Sequence, residues 1–178
     1  GHWLQGSLGN DRKDLGMLIK TFLETFKNQK KQPALLLKTS GATPCILDRE
    51  DILSKLIQIK DTVSGKLPNI YMLHGDLRDE EMNGLYNHPK VKAHVSFTHG
   101  EGFGRPLLEA SLSAKPVIAP NWSGQVDFLT PNATLLPGSL NDVKKESFPK
   151  NMRVKGAQWF TVNYNYASKI LKDVFDNH

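Results

Sequence analysis

Residues 99–119 read H-G-E-G-F-G-R-P-L-L-E-A-S-L-S-A-K-P-V-I-A, with seven residues between Glu101 and Glu109, among them Gly102, Phe103, Gly104, Arg105 and Pro106. Glycines let the backbone approach a ligand closely, and proline suits the start of a helix, where its missing N–H has no intrahelical partner. The stretch therefore reads as a strand, a tight glycine loop and a helix over 106–113 whose N-terminus faces something anionic. Val117-Ile118-Ala119 is the next buried strand. Glu109 then lies one turn inside the helix and Glu101 just before the loop. Two carboxylates and a row of N–H groups face one crevice, a layout suited to the hydroxyls and phosphates of a nucleotide-sugar.

Working outward, helical and strand patterns alternate. Leu15, Leu18, Ile19, Phe22, Leu23 and Phe26 form one apolar stripe on a helix over 14–26. Ala34-Leu35-Leu36-Leu37 is a continuous apolar run, expected of a strand buried on both faces of a parallel sheet. A loop at 40–44 ends it. A second amphipathic helix is expected over 51–63, a strand over 70–73, a short helix over 79–86 and a strand over 93–97 that feeds the Glu101 loop. This βαβα order implies an α/β protein with a doubly wound parallel sheet and right-handed crossovers. Ligands of such sheets bind at the carboxyl ends of the strands, which brings the loops at Ser40, His74 and His99 to one rim.

The chain has 178 residues, enough for one well-buried domain, here taken as a single nucleotide-sugar-binding unit. Residues 1–10 read as a tag or linker, and 156–178 as a C-terminal helical segment. No apolar stretch is long enough to span a bilayer and no signal-peptide pattern opens the sequence. Cys45 is the single cysteine, which excludes an intrachain disulfide and fits a cytoplasmic setting. Asn121-Trp122-Ser123 and Asn132-Ala133-Thr134 match the glycosylation pattern by chance in such a setting. The net charge of +5 comes from scattered residues with small clusters at Lys27, Lys30, Lys31 and at Lys144, Lys145. Without a recognition motif this reads as a solvated basic face and not as a nucleic-acid surface. A weak attraction to anionic lipid, at the inner face of a membrane, is its functional alternative. No acidic cage suggests a metal, so the reading is metal-independent.

The 101–119 segment resembles the E-x7-E signature of retaining GT-B glycosyltransferases, close to E-G-F-G-x-P-x-x-E-A-x-A-x-G-x-P-V-I-A. It matches at Glu101, Gly102, Phe103, Gly104, Pro106, Glu109, Ala110, Pro116, Val117, Ile118 and Ala119, and departs at Ala114, where glycine is common. The resemblance runs from about residue 12 to 138. It implies a Rossmann-like C-terminal, donor-binding domain, with the acceptor site on a separate N-terminal domain. Its donor is a UDP-, GDP- or ADP-sugar and its acceptor a sugar, lipid or protein.

The same resemblance implies roles for single residues. Arg12-Lys13-Asp14 looks like the element whose lysine contacts the donor diphosphate. Leu8 stands where a separate arginine is usual, so either Arg12 substitutes or the site has one cation fewer. Leu73-His74-Gly75-Asp76-Leu77 resembles the loop against which the nucleobase stacks, beside Ser40. Glu109 holds the ribose hydroxyls, with Leu108 in the same helical turn. Glu101 orients the donor sugar, with Lys13 and Arg12 as its catalytic partners. His99 contacts sugar or phosphate, or is a satisfied loop residue. Ser123 to Asp127 resembles a second glycine turn. The aromatics Trp159, Phe160, Tyr164 and Tyr166 read as core packing. In such a site the N–H groups of Gly102 to Arg105 and the two cations stabilise charge on the leaving diphosphate, and same-face attack retains anomeric configuration. Two other readings use the same residues, a non-catalytic nucleotide-binding module and a nucleotide-sugar epimerase.

Overall fold

The computed structural model describes residues 2–3, 8–129, 133–148 and 154–177. Residues 1 and 4–7 of the stretch assigned above to a leading tag or linker, and Asn132 of the second glycosylation pattern, lie outside the described residues. The elements run α1 (Leu15–Phe26), β1 (Leu35–Thr39), α2 (Ile46–Asp61), β2 (Ile70–His74), α3 (Asp79–Asn87), β3 (His94–Val95), α4 (Arg105–Leu112), β4 (Val117–Pro120), β5 (Ala133–Leu136), β6 (Gly138–Asp142), β7 (Gln158–Val162) and α5 (Tyr164–Asn177). The protein is mixed α/β with parallel sheets. β1 pairs with β2, and β3, β4 and β5 pair in that order, all in parallel. β6 and β7 form a separate antiparallel pair.

The expected single parallel sheet is thus divided among the described residues into a two-stranded and a three-stranded sheet. Both present their carboxyl ends to the same N-terminal segment. Trp3 N donates to Ser40 O (2.9 Å) just past β1, and His99 N donates to Arg12 O (3.0 Å) past β3. β4 is the most enclosed strand, with all four residues buried. Ile118 joins the larger core cluster with Leu18, Phe22 and Phe26 of α1 and Leu171 of α5. Val117 and Ala119, one pleat away, pack instead with Tyr86 of α3 and Leu107 and Ala110 of α4.

Several expectations shift for identifiable reasons. α2 starts at Ile46, five residues earlier than its apolar stripe, because Cys45 caps it. The Cys45 sulfur accepts from Asp48 N (3.4 Å), and Asp48 places negative charge in the first turn. β1 is not buried on both faces. Leu35 and Leu37 are buried but Leu36 is 42% exposed, and its neighbour across the pair, Tyr71, is 56% exposed. Helices α1 and α2 cover only one side of that pair. β3 is two residues long, since its pairing with β4 spans only His94↔Val117 and Val95↔Ile118. The C-terminal segment opens with a strand: Gln158 to Val162 is aromatic and β-branched, and pairs with β6.

A buried polar cluster joins the start of α1, the end of β3 and the start of α5. Tyr164 donates its hydroxyl to Asp14 Oδ2 at 2.6 Å. His99 Nδ1 lies 2.7 Å from Phe160 O, so this nitrogen carries the proton and donates it. In the neutral ring Nε2 is then an acceptor, and it faces Asp14 Oδ1 at 3.9 Å. Neither of these two buried atoms has a hydrogen-bond partner. A proton on Asp14 would put a donor opposite this acceptor, at a separation longer than a hydrogen bond. In keeping with this, burial pushes the Asp14 carboxyl up to about 7, against a smaller lowering by Tyr164, with the nearby Asp11 charge raising it further. Burial pushes His99 down, keeping the ring neutral.

The folded state therefore holds a proton on Asp14 that the unfolded chain, with its ordinary value of 3.8, has already lost. That stabilisation is complete below about pH 4 and is lost as the pH rises through about 7. The depressed His99 acts in the opposite direction, its contribution being lost as the pH falls below 6.5 and through its folded value. Asp14→Asn removes the first effect and leaves the second. Between pH 5 and pH 8 the variant should gain on the parent by on the order of 2 kcal/mol, read from urea midpoints. Parallel stability curves for the two proteins would show that Asp14 does not take up the proton.

Candidate functional site

The glycine loop between β3 and α4 is fastened by its own backbone to a second turn. Gly124 N and Ser123 Oγ both donate to Glu101 O, at 3.1 and 2.6 Å, and Glu101 N donates to Ser123 Oγ at 3.3 Å. The approach is so close that a Cβ on Gly124 would stand 2.1 Å from Gly102 O. Gly104, the residue before α4, has φ +91°, where only glycine is unstrained. Ser123 was not singled out from the sequence as a partner of Glu101. Its signal was the Ser-Gly pair shortly after β4, where a turn residue with a side-chain oxygen can reach a neighbouring loop.

The N-terminal segment meets this loop from the other side. Arg12 Nη1 donates to Gly100 O (3.0 Å) and Thr98 Oγ1 to the same oxygen (3.2 Å). Lys13 forms a hydrogen-bonded ion pair with Glu101 Oε1, and Arg12 Nη1 lies 4.0 Å from Oε2. The side chains of Lys13 and Glu101 are only 17% and 15% exposed, so solvent screens this pair less than a surface pair. Cations at the start of α1, opposed by the macrodipole, thus have a carboxylate to hold them.

Glu109 lies one turn into α4, as expected, and accepts from Arg105 Nε at 2.5 Å, while Arg105 Nη2 is 3.6 Å from Asp79 Oδ1. The structure brings Glu101, Glu109, Lys13, Gly104 and Pro106 to the wall of one cavity of about 670 Å³. Leu107 N and Leu108 N both turn back to Gly104 O (2.8 and 3.1 Å). The N–H groups of Gly102, Phe103, Gly104 and Arg105 make no hydrogen bond among the described residues. Phe103 is 58% exposed and packs on Phe128 with ring centroids 5.2 Å apart. It stands outside the cavity, as does Leu108.

His99 is placed differently. It is buried, its ring stacks on Trp159 (centroids 4.7 Å, 14° between planes), and both nitrogens face inward groups. Its burial turns it away from the cavity, with Nδ1 hydrogen-bonded to Phe160 O and Nε2 left without a partner. Trp122 stacks in the same manner on Phe160 (5.5 Å, 4°).

The strand-end loops of the two-stranded sheet form a second group. Thr39↔His74 register sets Ser40 beside Gly75. Ser40 is buried, with its oxygen on Trp3 N and its hydroxyl 3.3 Å from His2 Nδ1. His74 Nε2 is 2.6 Å from Asp48 Oδ2, which also accepts from Gly41 N at 2.8 Å. These two contacts, Gly41 first, hold the Asp48 carboxyl below its ordinary value. Asp48 was not singled out from the sequence, and its grip on both loops depends on α2 starting early. Gly75 takes φ +97° with nothing within reach of a Cβ, and Leu77 is half-buried beyond it.

No protein-family model matches the chain, and no curated protein sequence matches it.

Two glycine-related positions give opposite expectations. Gly124→Ala sets a Cβ against the Gly102 carbonyl and must move the Glu101 loop, costing about 1–3 kcal/mol of unfolding free energy. Ala114 ends α4 at φ +55°, the left-handed region that glycine occupies without strain. Ala114→Gly should therefore stabilise by about 1 kcal/mol. Urea unfolding of both variants checks the pair, and the reverse signs would mean that the loop and the helix end relax freely.

Proposed function

We propose that the chain is the donor-binding domain of a retaining glycosyltransferase of the GT-B type, a Rossmann-like unit that presents a UDP-, GDP- or ADP-sugar to an acceptor held by a second domain. The observation that carries this reading is the joint placing of Glu101, Lys13 and Glu109 on one cavity wall with Gly104, the residue of the glycine loop that lines it.

The chemistry follows from charge. Cleavage of the bond between an anomeric carbon and a nucleoside diphosphate leaves negative charge on the departing phosphate. N–H groups already fixed in a glycine loop stabilise that charge without reorganising. Lys13 is the nearest cation, and its partner Glu101 keeps it in place before the donor arrives. With donor bound, Lys13 turns to the diphosphate and Glu101 is released to the sugar hydroxyls. Arg12, anchored on the Gly100 carbonyl, fixes the backbone beneath them. Glu109 accepts from the ribose hydroxyls once Arg105 swings aside, which its exposed position permits.

Calorimetric titration with UDP, GDP and ADP, each alone and as its sugar conjugate, tests the assignment. Glu109→Gln should cost about 1.5–3 kcal/mol with every ligand, since it weakens charge-assisted bonds to the ribose. Glu101→Ala should leave the plain nucleotides nearly unaffected and erase the extra affinity for the conjugates. Equal losses for both ligands at Glu101 would exchange the two roles, and no binding at millimolar nucleotide would end the proposal.

A further inference from the structure

The loops that enter strands β1 to β4 carry charge of one sign. Residues 27–34, ahead of β1, hold Lys27, Lys30 and Lys31, and residues 62–69, ahead of β2, hold Lys66. Residues 88–93, ahead of β3, hold Lys90 and Lys92, and residues 113–116, ahead of β4, hold Lys115. None of these loops contains an acid or an arginine. The loops at the carboxyl ends, 40–45, 75–78 and 96–104, differ, with Asp76 and Glu101 against Arg78. Parallel pairing puts the amino ends of paired strands on one rim, so lysines dispersed in the sequence meet there.

The loops are tied to one another. Asn28 N and Gln32 Nε2 both donate to Lys66 O, at 2.8 and 2.9 Å, and Lys66 N donates to Asn28 Oδ1 at 2.8 Å. Lys115 Nζ donates to His88 O at 3.4 Å. Lys31, Lys90 and Lys92 border one cavity, which sets the two pairs of loops together. Lys30, Lys66, Lys90 and Lys92 are exposed and form no ion pair among the described residues. Helices α1, α2 and α5 bring Glu24, Asp61, Asp173 and Asp176 to this end, but Glu24 is paired with Lys27, and Lys60 and Lys172 accompany the others. The rim keeps an excess of positive charge.

The chemistry around that charge selects the partner. Nucleic acid is gripped by the arginine fork and by aromatic rings on which bases stack. These loops have no arginine and no Phe, Tyr or Trp. Lysines are point charges on flexible stems, suited to a diffuse anionic surface. One apolar side chain joins them. Leu112, at the end of α4 and three residues before Lys115, is 80% exposed, more than any other large hydrophobic residue described. A protruding leucine among lysines gains by entering the boundary between lipid headgroups and chains, and gains nothing from a phosphate backbone.

We propose that the amino-end rim of the parallel sheets is a docking surface for a bilayer rich in anionic lipid, with its lysines at the headgroups and Leu112 inserted between them. The carboxyl ends, with Glu101 and Lys13, then face away from the bilayer. The inference uses no residue to which the nucleotide-sugar reading gives a role and stands apart from it.

Sedimentation with vesicles tests it. The chain should pellet with mixed phosphatidylserine and phosphatidylcholine vesicles, not with phosphatidylcholine alone, and should be released by salt. Lys66→Gln, Lys90→Gln and Lys92→Gln together remove three exposed charges from the rim. At about fivefold for each lysine near an anionic surface, the partition coefficient should fall by on the order of a hundredfold. Lys144→Gln, Lys145→Gln and Lys155→Gln remove the same charge beyond the far end of the β6–β7 pair, and should lower it by no more than about threefold. Leu112→Asn keeps the charge and should lower it by at least about threefold. Failure to pellet with the mixed vesicles, equal pelleting with the neutral ones, equal loss in the two triple variants or no loss in Leu112→Asn overturns the proposal. So does binding of duplex DNA through the same three lysines while the vesicles stay unbound, since the rim would then serve a nucleic acid.

Discussion

Two backbone hydrogen bonds tie the N-terminal segment to both parallel sheets. Trp3 N to Ser40 O and His99 N to Arg12 O attach one N-terminal segment to the ends of two separate parallel sheets. Side chains follow that arrangement. Trp3 is driven into the main core, and Arg12 and Lys13 are carried to the glycine loop after β3. Without those two attachments the β1–β2 pair and the β3–β5 sheet would share only helices, and the loops at Ser40 and Glu101 would have no fixed relation. The candidate site is a product of where the chain crosses from one sheet to the other.

At that crossing, rigidity and charge are supplied by different parts. The rigid part is backbone: Gly124 and Ser123 on the Glu101 carbonyl, and Gly104 in a conformation that other residues resist. The charged part is side chain: Lys13 with Glu101, Arg105 with Glu109. The exposed Arg105–Glu109 pair can be exchanged for a ligand at modest cost, whereas a backbone clasp cannot. This division suits a pocket whose carboxylates must change partners while its loop stays still.

The sequence was legible where periodicity and composition are strong. The α1 stripe, the 70–73 run and the 101–119 segment all appear within a residue or two of the expected place. It misled where a distant neighbour decides. Leu36 sits in an apolar run, yet its exposure depends on which helices reach that side of β1. The start of α2 depended on a thiol cap that propensity undervalues. Trp159 to Val162 reads as core material but adopts a strand because β6, about twenty residues earlier, offers it an edge. For the site, the residue types were readable from a single motif. The partners were not: Ser123 for Glu101, Asp48 for His74 and Asp14 for His99 come from segments 22, 26 and 85 residues away by the numbering.

The join between the first and last helices bears on the order in which the chain consolidates. Tyr164 donates to Asp14 across 150 positions, Ser168 meets Thr25 across 143, and Phe175 closes on the ring of Phe26 at 5.4 Å. Contacts so remote in sequence carry the greatest loop-closure cost and form late. During synthesis α1 emerges long before these partners exist, and until they arrive Asp14 must stay hydrated and Phe26 half-covered. The C-terminal helix is therefore a latch on the first one: a ribosome that stops before Tyr164 releases a chain whose earliest helix packs on α2 but lacks its closing partner.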